Sequence, residues 1–321
     1  MYFVRGLINL RPRHRGAVLT IGAFDGLHRG HQALLARTIR LAQQYQRPSM
    51  MLTFEPMPRE MIASTNPPAR LTSLRERWDL LSTGALSALP DAPAVPDALC
   101  VLRFSSSLQA IEGDEFVRIL HEVFAVTAVV VGHDYHYGRN GTADSAVLVA
   151  AGRARGFAVE VLPPVRLGSE RVSSSAVRVA LAASRFDAAA ELLGRRYTMR
   201  GRVVAGQQLG RTLGFPTANL RLQRLRSPVH GIFAVRAREL PRGAWMPGVA
   251  SLGTRPTVAG AEPLLETHLF DFSGDLYGRA MEVEFVCKLR EELKFESLEA
   301  MTAQMHRDAQ AARAAVAPLS S

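Results

Sequence analysis

Thr20-Ile21-Gly22-Ala23-Phe24-Asp25-Gly26-Leu27-His28-Arg29-Gly30-His31 is the stretch from which the architecture of the first half can be worked out. The run Val18-Leu19-Thr20-Ile21 reads as a short buried strand ending at Gly22, and after His31 the apolar spacing becomes helical. From His31 to Gln46, Leu34, Leu35, Ile39, Leu41 and Ala42 form one stripe, with Arg37, Arg40 and Gln44 opposite. The first N–H groups of a helix lack intrahelical acceptors and carry the positive end of its dipole, so this turn suits polyphosphate. Gly22, Gly26 and Gly30 permit a tight turn and close approach of ligand to backbone, with Phe24 and Asp25 inside it. His28 and His31 stand three apart at the start of the helix and can reach one phosphate. Nucleotidyl transfer needs donors at such a point, because negative charge gathers on the departing pyrophosphate. No covalent nucleophile is required, since an acceptor phosphate can attack the α-phosphorus directly. Two exposed loop histidines are the competing reading; the strand before and the helix after favour a site.

Outward from this turn, Met50–Phe54, Leu99–Phe104, Ala128–Val131 and Ala158–Val161 are further buried-strand candidates. Helical stretches separate several of them, around Leu71–Leu81 and Gly113–Phe124. Continuous apolar strands alternating with helices imply an α/β domain with a parallel sheet covered on both faces. Ser82–Asp97, rich in Ala, Pro and Ser, reads as a surface loop. The pattern changes between Arg185 and Tyr197, and the expected domains are 1–186 and 187–321. Beyond the boundary, glycine is frequent and strands are short, as in Gly231–Val235 and the alternating Met281–Val286. That spacing implies a small antiparallel β-barrel, followed by a terminal helix opened by Ser297 with Leu298, Met301 and Met305 at helical intervals.

Composition narrows the classes. No apolar window approaches a membrane span, and Met1–Arg15 lacks the long apolar stretch of a signal peptide, so a cytoplasmic enzyme with no membrane partner is expected. Cys100 and Cys287, far apart, read as buried apolar thiols. The formal charge of +10 is almost all arginine, the lysines being Lys288 and Lys294 alone. Those arginines are scattered, without aromatic interleaving or a basic tail, so small phosphate-bearing ligands are expected and nucleic acid is not. Self-association into a homo-oligomer stays open.

A second phosphate motif lies in Gly206-Gln207-Gln208-Leu209-Gly210-Arg211-Thr212-Leu213-Gly214-Phe215-Pro216-Thr217-Ala218-Asn219. Its glycine-rich turn can present backbone donors to the β- and γ-phosphates. Thr217 and Asn219 supply hard oxygens of the kind Mg²⁺ accepts. Leu264–Phe272 reads as a strand whose period places Glu266, His268 and Phe270 on one face. Asp271 and Glu262 are the other carboxylates nearby.

The Thr20–His31 segment resembles the nucleotidyltransferase signature of bacterial bifunctional riboflavin kinase/FMN adenylyltransferases, the FAD synthetases. Thr53-Phe54-Glu55-Pro56-Met57-Pro58 and Arg171-Val172-Ser173-Ser174-Ser175-Ala176-Val177-Arg178 are similar to two further segments of that family. The second offers the hydroxyls of Ser173, Ser174 and Ser175 and the guanidinium of Arg178 to a phosphate; an ordinary serine-capped helix is its bland alternative. The Gly206–Asn219 motif resembles the flavokinase signature, including Gly206, Gly210, Arg211, Gly214 and Pro216. The resemblance implies a Rossmann-like nucleotidyltransferase domain followed by a flavokinase barrel. It further implies ATP with Mg²⁺, riboflavin, FMN and FAD as substrates and products, and Glu266 as general base. Arg290 and Phe295, with Leu289 and Lys294, match segments near the family's flavin pocket, as does Gly253–Thr257. Gly132-His133-Asp134-Tyr135-His136-Tyr137-Gly138 departs from the family: His133 replaces an acid and His136 a basic residue. Asp134, Tyr135 and Tyr137 keep the flavin-side spacing; the two rings either stack on a planar ligand or serve the core. His133 and His136 lack a third ligand for a metal. The competing readings are a riboflavin kinase with an impaired adenylyltransferase half, and a non-catalytic flavin or nucleotide binder.

Overall fold

Val18–Ile21 is buried along its whole length, and its side chains leave on alternate faces. Leu19 and Ile21 enter a core with Met50, Leu52, Cys100, Val129, Phe124 and Leu148; Val18 enters the opposite one with Leu41, Ala42, Ala128 and Val130. A strand buried on both faces has no polar side to show, which is why these segments are continuous apolar runs. The computed structural model describes residues 1–84, 86, 95–206, 210, 213–257 and 260–319, with no side chains for 255–262. Most of the expected Ser82–Asp97 loop lies outside the described residues.

The chain divides into two compact units, the first comprising Met1–Pro68 and Arg77–Ser174, the second Ala69–Glu76 and the chain from Ser175 onward. In the first, β1 (Tyr2–Arg5), β2 (Val18–Ile21), β3 (Ser49–Glu55), β4 (Ala98–Arg103), β5 (Ala128–Gly132) and β6 (Ala158–Leu162) form one sheet in the order β1-β4-β3-β2-β5-β6. All its pairs are parallel. From β2 the chain winds outward through β3 and β4, then returns to place β5 on the other side of β2. The order therefore reverses at β2/β5, and the loops leaving their carboxyl ends open at the switch point of a doubly wound sheet. Helix α1 (Arg29–Tyr45) begins two residues earlier than the spacing after His31 suggests, because His28 itself is the N-cap. The expected helix at Gly113–Phe124 is α-helical over Gly113–Arg118 and continues as a wider π turn over Ile119–Val123.

The second unit holds a closed barrel of β7 (Thr198–Val204), β8 (Ala218–Arg221), β9 (Gly231–Glu239), β10 (Met246–Thr257), β11 (Gly260–Leu269) and β12 (Ala280–Arg290), in the order β7-β8-β11-β10-β9-β12. Every pair is antiparallel. Met281, Val283 and Phe285 point inward, while Glu282 and Glu284 point outward among Arg200, Arg236 and Arg238. Phe186, at the head of a short helix (Phe186–Leu193), stacks on Phe285 and meets Phe233 edge-on. The terminal helix α2 (Leu298–Val316) is capped by Ser297 as expected, but its buried stripe is Asp308, Ala312 and Val316; Leu298 is exposed. Cys100 is fully buried, and burial pushes its thiol up to about 12; Cys287 is only half-buried, a correction to the expected pair of buried thiols. No described helix is long and apolar enough to cross a membrane.

Candidate active sites

The turn after β2 is held in a backbone conformation that few sequences tolerate. Phe24, Gly26 and Leu27 have φ of 51°, 85° and 46°. Gly26 adopts this freely, whereas each of the other two costs about 1–3 kcal/mol. Side chains around the turn take up alternate carbonyls. Thr53 Oγ1 and Arg77 Nη1 donate to the Ala23 carbonyl at 3.2 and 2.8 Å. Ser174 Oγ donates to that of Asp25 at 2.9 Å, and Gln32 Nε2 to that of Leu27 at 2.8 Å. Phe24 and Leu27 are fully buried and Asp25 nearly so, which adds packing to the restraint.

His28 caps α1: its Nδ1 accepts from the His31 N–H at 3.4 Å, which sets the neutral ring's proton on Nε2. The two imidazoles stack with centroids 3.6 Å apart, and Phe24 meets His31 edge-on. Gly30 lies beneath the His28 ring, where a Cβ would come within 3.1 Å of it. At Gly22 a Cβ would meet only the Phe24 ring, at 3.4 Å. Gly22, Phe24, Asp25, Gly26, His28, Gly30, His31 and Ser174 are thus brought together. Ser173 immediately precedes a short helix, Ser174–Ala182, and Asp134 Oδ2 accepts from Arg171 Nη2 at 2.5 Å. Partial burial works to raise the Asp134 carboxyl, but Arg171 outweighs it and holds the group below its usual range. His133 and His136 flank this pair, His136 Nδ1 lying 2.9 Å from the Asp134 carbonyl.

The tyrosine expectation needs correction. Tyr137 is a core residue, packed against Phe116 and stacked on Tyr135, so its ring offers no face to a flavin; Tyr135 is half-buried against the same core. Arg178 and Ser175 belong to the second unit, where Arg178 Nε donates to the Ala69 carbonyl at 2.6 Å and Ser175 is exposed. Arg77 belongs to none of the sequence motifs, yet its guanidinium is wholly buried and reaches Ala23, Thr53 Oγ1 at 2.9 Å and Glu55 Oε2 at 2.6 Å. Its one sequence signal is an arginine placed within an otherwise apolar helical face.

In the second unit, the register of β8 against β11 sets Asn219 opposite Glu266. Both stand on the face away from the buried Leu220, Leu265 and Thr267. Asn219 is nearly buried, and its Oδ1 has no hydrogen-bond partner among the described residues. Gly206 covers it so closely that a Cβ there would come 2.5–2.6 Å from the Asn219 side chain, so only glycine fits. The Gly210 carbonyl accepts from Phe215 N at 2.7 Å and Leu213 N at 3.2 Å, closing the turn that contains Gly214. Pro216 is anchored through its carbonyl, to which His268 Nδ1 donates at 2.9 Å. Phe215 is buried between the rings of His268 and His306. Thr217 follows Pro216 and Asn219 comes two residues later; these two and Glu266 carry hard oxygens of the kind a small dication takes. No cluster of three His, Cys, Asp or Glu forms a metal site among the described residues. Arg211 lies outside the described residues, as does the side chain of Glu262.

Asp271, the rival carboxylate, is held at two points by Arg313, 2.7 and 3.0 Å away, and this pairing keeps its carboxyl below the usual range. Arg290 lies over the Phe295 ring, 5.8 Å from its centroid, so these two flavin-side candidates meet. Arg290 is also gripped by Asp308 at 2.6–3.0 Å, which ties it to α2.

Comparison with known proteins matches two families to two successive stretches of the chain. The FAD synthetase family matches residues 10–176 and the riboflavin kinase family residues 193–316. The bifunctional riboflavin kinase/FMN adenylyltransferase of Pseudomonas fluorescens is 47% identical, over 99% of each chain. Those of Haemophilus influenzae and Escherichia coli are 39% and 41% identical, over 98% of this chain and 99% and 97% of theirs. A solved structure described as a macrolide-efflux protein from Streptococcus pneumoniae superposes with a TM-score of 0.76 at 27% identity, covering 98% of this chain and 99% of its own. Two family matches side by side in one chain, both spanned by relatives 39–47% identical over nearly their full length, make the chain a member of the bifunctional riboflavin kinase/FMN adenylyltransferase family.

Proposed function

We propose that the barrel phosphorylates riboflavin to FMN at the Thr217–Asn219–Glu266 cluster, and that the parallel-sheet domain joins FMN to the adenylyl group of ATP at the His28–His31 turn. The reading divides catalysis between residues 1–186 and 187–321, with ATP and flavins as the small-molecule partners. The observation that carries it is the Asn219–Glu266 pair beneath Gly206, where a nearly buried oxygen without a described partner faces a carboxylate across two strands.

In the kinase half, Thr217 and Asn219 would hold Mg²⁺, and backbone donors at Gly206, Gly210 and Gly214, with the guanidinium of Arg211, would serve the phosphate chain. Bound there with ATP, Mg²⁺ would neutralise charge on the β- and γ-phosphates. Glu266 takes the proton of the flavin's terminal hydroxyl as that oxygen bonds to the γ-phosphorus and ADP departs. A carboxylate is a far weaker base than an alkoxide, so the proton arrives late, as transfer proceeds. His268 keeps Pro216, and with it Thr217, in place. Arg290 and Phe295 line the flavin side.

In the adenylyltransferase half, a phosphate oxygen of FMN attacks the α-phosphorus and pyrophosphate leaves toward the N-terminus of α1. His28, as the tautomer that donates from Nε2, and His31 stabilise the charge that builds there. Ser173 and Ser174 stand beside this turn, and Asp134 with Arg171 faces the flavin. The Asp134–Arg171 pair persists beside His133 and His136, which favours a working adenylyltransferase over an impaired one. ATP supply makes the cytoplasm the compartment of this reading. The test is chromatography of the products from riboflavin, ATP and Mg²⁺: FMN and then FAD are expected, and recovery of unchanged riboflavin would overturn the reading.

A further inference from the structure

We propose that Arg77 is a positioning residue for adenylyl transfer, acting through the Ala23 carbonyl to fix the turn that carries Phe24–His28. The inference rests on the assignment of that turn to adenylyl transfer. Arg77 is among the largest fully buried residues described, and it is charged. A buried ion pair is a poor source of stability, since an apolar residue of similar volume commonly does as well or better. Retention of a guanidinium at this position calls for a geometric reason, and its contacts supply one. One nitrogen, Nη1, binds the Ala23 carbonyl and Thr53 Oγ1, and the other, Nη2, binds Glu55. A planar fork with fixed angles therefore ties the first carbonyl of the turn to the end of β3.

The position of that carbonyl matters because the residues after it are strained. Phe24 and Leu27 hold left-handed conformations that persist only where the surroundings over-determine them. The carbonyls of Ala23, Asp25 and Leu27 are the restraint points, taken by Arg77 with Thr53, by Ser174 and by Gln32. Ser174 and Gln32 hold the middle and the far end. Arg77 sets the near end, where the chain leaves β2, and so the rotation of the whole turn against the histidines. A shift of about 1 Å in a positioning element can cost on the order of a hundredfold in rate.

Lysine keeps the charge but is a point donor on a flexible stem, unable to reproduce the fork. Methionine keeps the volume and removes every polar contact. In the full-length protein, Arg77→Lys is expected to lower kcat for FAD formation from supplied FMN at least tenfold, with a smaller change in KM for MgATP. Arg77→Met should lower it further, and Glu55→Gln less than either. Riboflavin phosphorylation by the same protein should stay within twofold, which a general loss of folding would not permit. If Arg77→Met loses both reactions, the Arg77→Lys protein decides. Unchanged adenylyl transfer in Arg77→Lys, or a fall matched by an equal fall in phosphorylation, overturns the inference. Absence of FAD formation by the unsubstituted protein would instead remove the functional reading beneath it.

Discussion

Glu266 and Asp271 are carboxylates five residues apart on one strand and the turn after it, and their surroundings give them different work. Asp271 is held at two points by Arg313, whereas Glu266 faces Asn219 across the β8/β11 ladder. Removal of a general base typically costs 10²- to 10⁴-fold. Glu266→Ala is therefore expected to reduce FMN formation by about that range while FAD still forms from supplied FMN. His31→Ala should do the opposite and stop the product mixture at FMN; loss of both reactions from either folded variant would refute independent sites. The residues of these sites are legible in the sequence because their chemistry is local: histidines three apart at a helix start, or a threonine and an asparagine after a glycine-rich turn. Arg77 is not, since its partner is a backbone carbonyl at position 23, and a carbonyl has no sequence signature. Tyr137 is ambiguous in sequence for a similar reason, because the turn after β5 decides whether its ring meets solvent or Phe116.

At the scale of elements, segments with one unambiguous burial pattern are readable almost to the residue. Val18–Ile21 is a strand over those residues, and Met50–Phe54 extends by one at each end. Tyr2–Arg5 gives no such signal, because an edge strand with mostly exposed side chains has neither a continuous apolar run nor clean alternation. The terminal helix starts at its expected Ser297 cap, but its buried stripe lies further along because Ala234 and Phe270 contact Ala312 and Val316. Strand β12 shows how alternation becomes energetics. Its outward Glu282 is nearly buried; burial alone would raise its carboxyl, but Arg200 and Arg238 outweigh that and hold it below the ordinary range. A carboxyl depressed in the folded state contributes stability that is complete above its unfolded pKa, about 4.3, and drains away as pH falls through the folded value. Thermal melts from pH 6 to pH 2 should therefore show a steep acid decline in Tm for the native protein. Glu282→Gln should lower Tm at neutral pH and flatten that decline.

At the scale of the whole molecule, sequence order and structural membership part company at Ala69–Glu76. This segment lies within the stretch matched by the FAD synthetase family, yet it belongs to the unit that holds the barrel. There Glu76 accepts both Nη2 contacts of Arg224 at 2.7 Å and the Arg200 N–H at 2.7 Å, and the Arg224 side chain is wholly buried. A linear reading has no means of finding such a segment, because nothing in its composition differs from its neighbours. Taking away one member of a buried pair strands the other charge, at about 3–5 kcal/mol. Glu76→Ala should lower stability by that amount in urea titration, and adding Arg224→Met should recover much of it. The two units also differ in how their backbones end. The barrel closes on itself, so each of its strands has neighbours on both sides, while the parallel sheet stops at β1 and β6, each with a partner strand on one side only among the described residues. An open rim with Tyr2 and Phe3 partly exposed is a template onto which a second chain can be laid down. Aggregation of this enzyme in concentrated solution should therefore be seeded by the rim of its adenylylating half, with the kinase half carried along as a passenger.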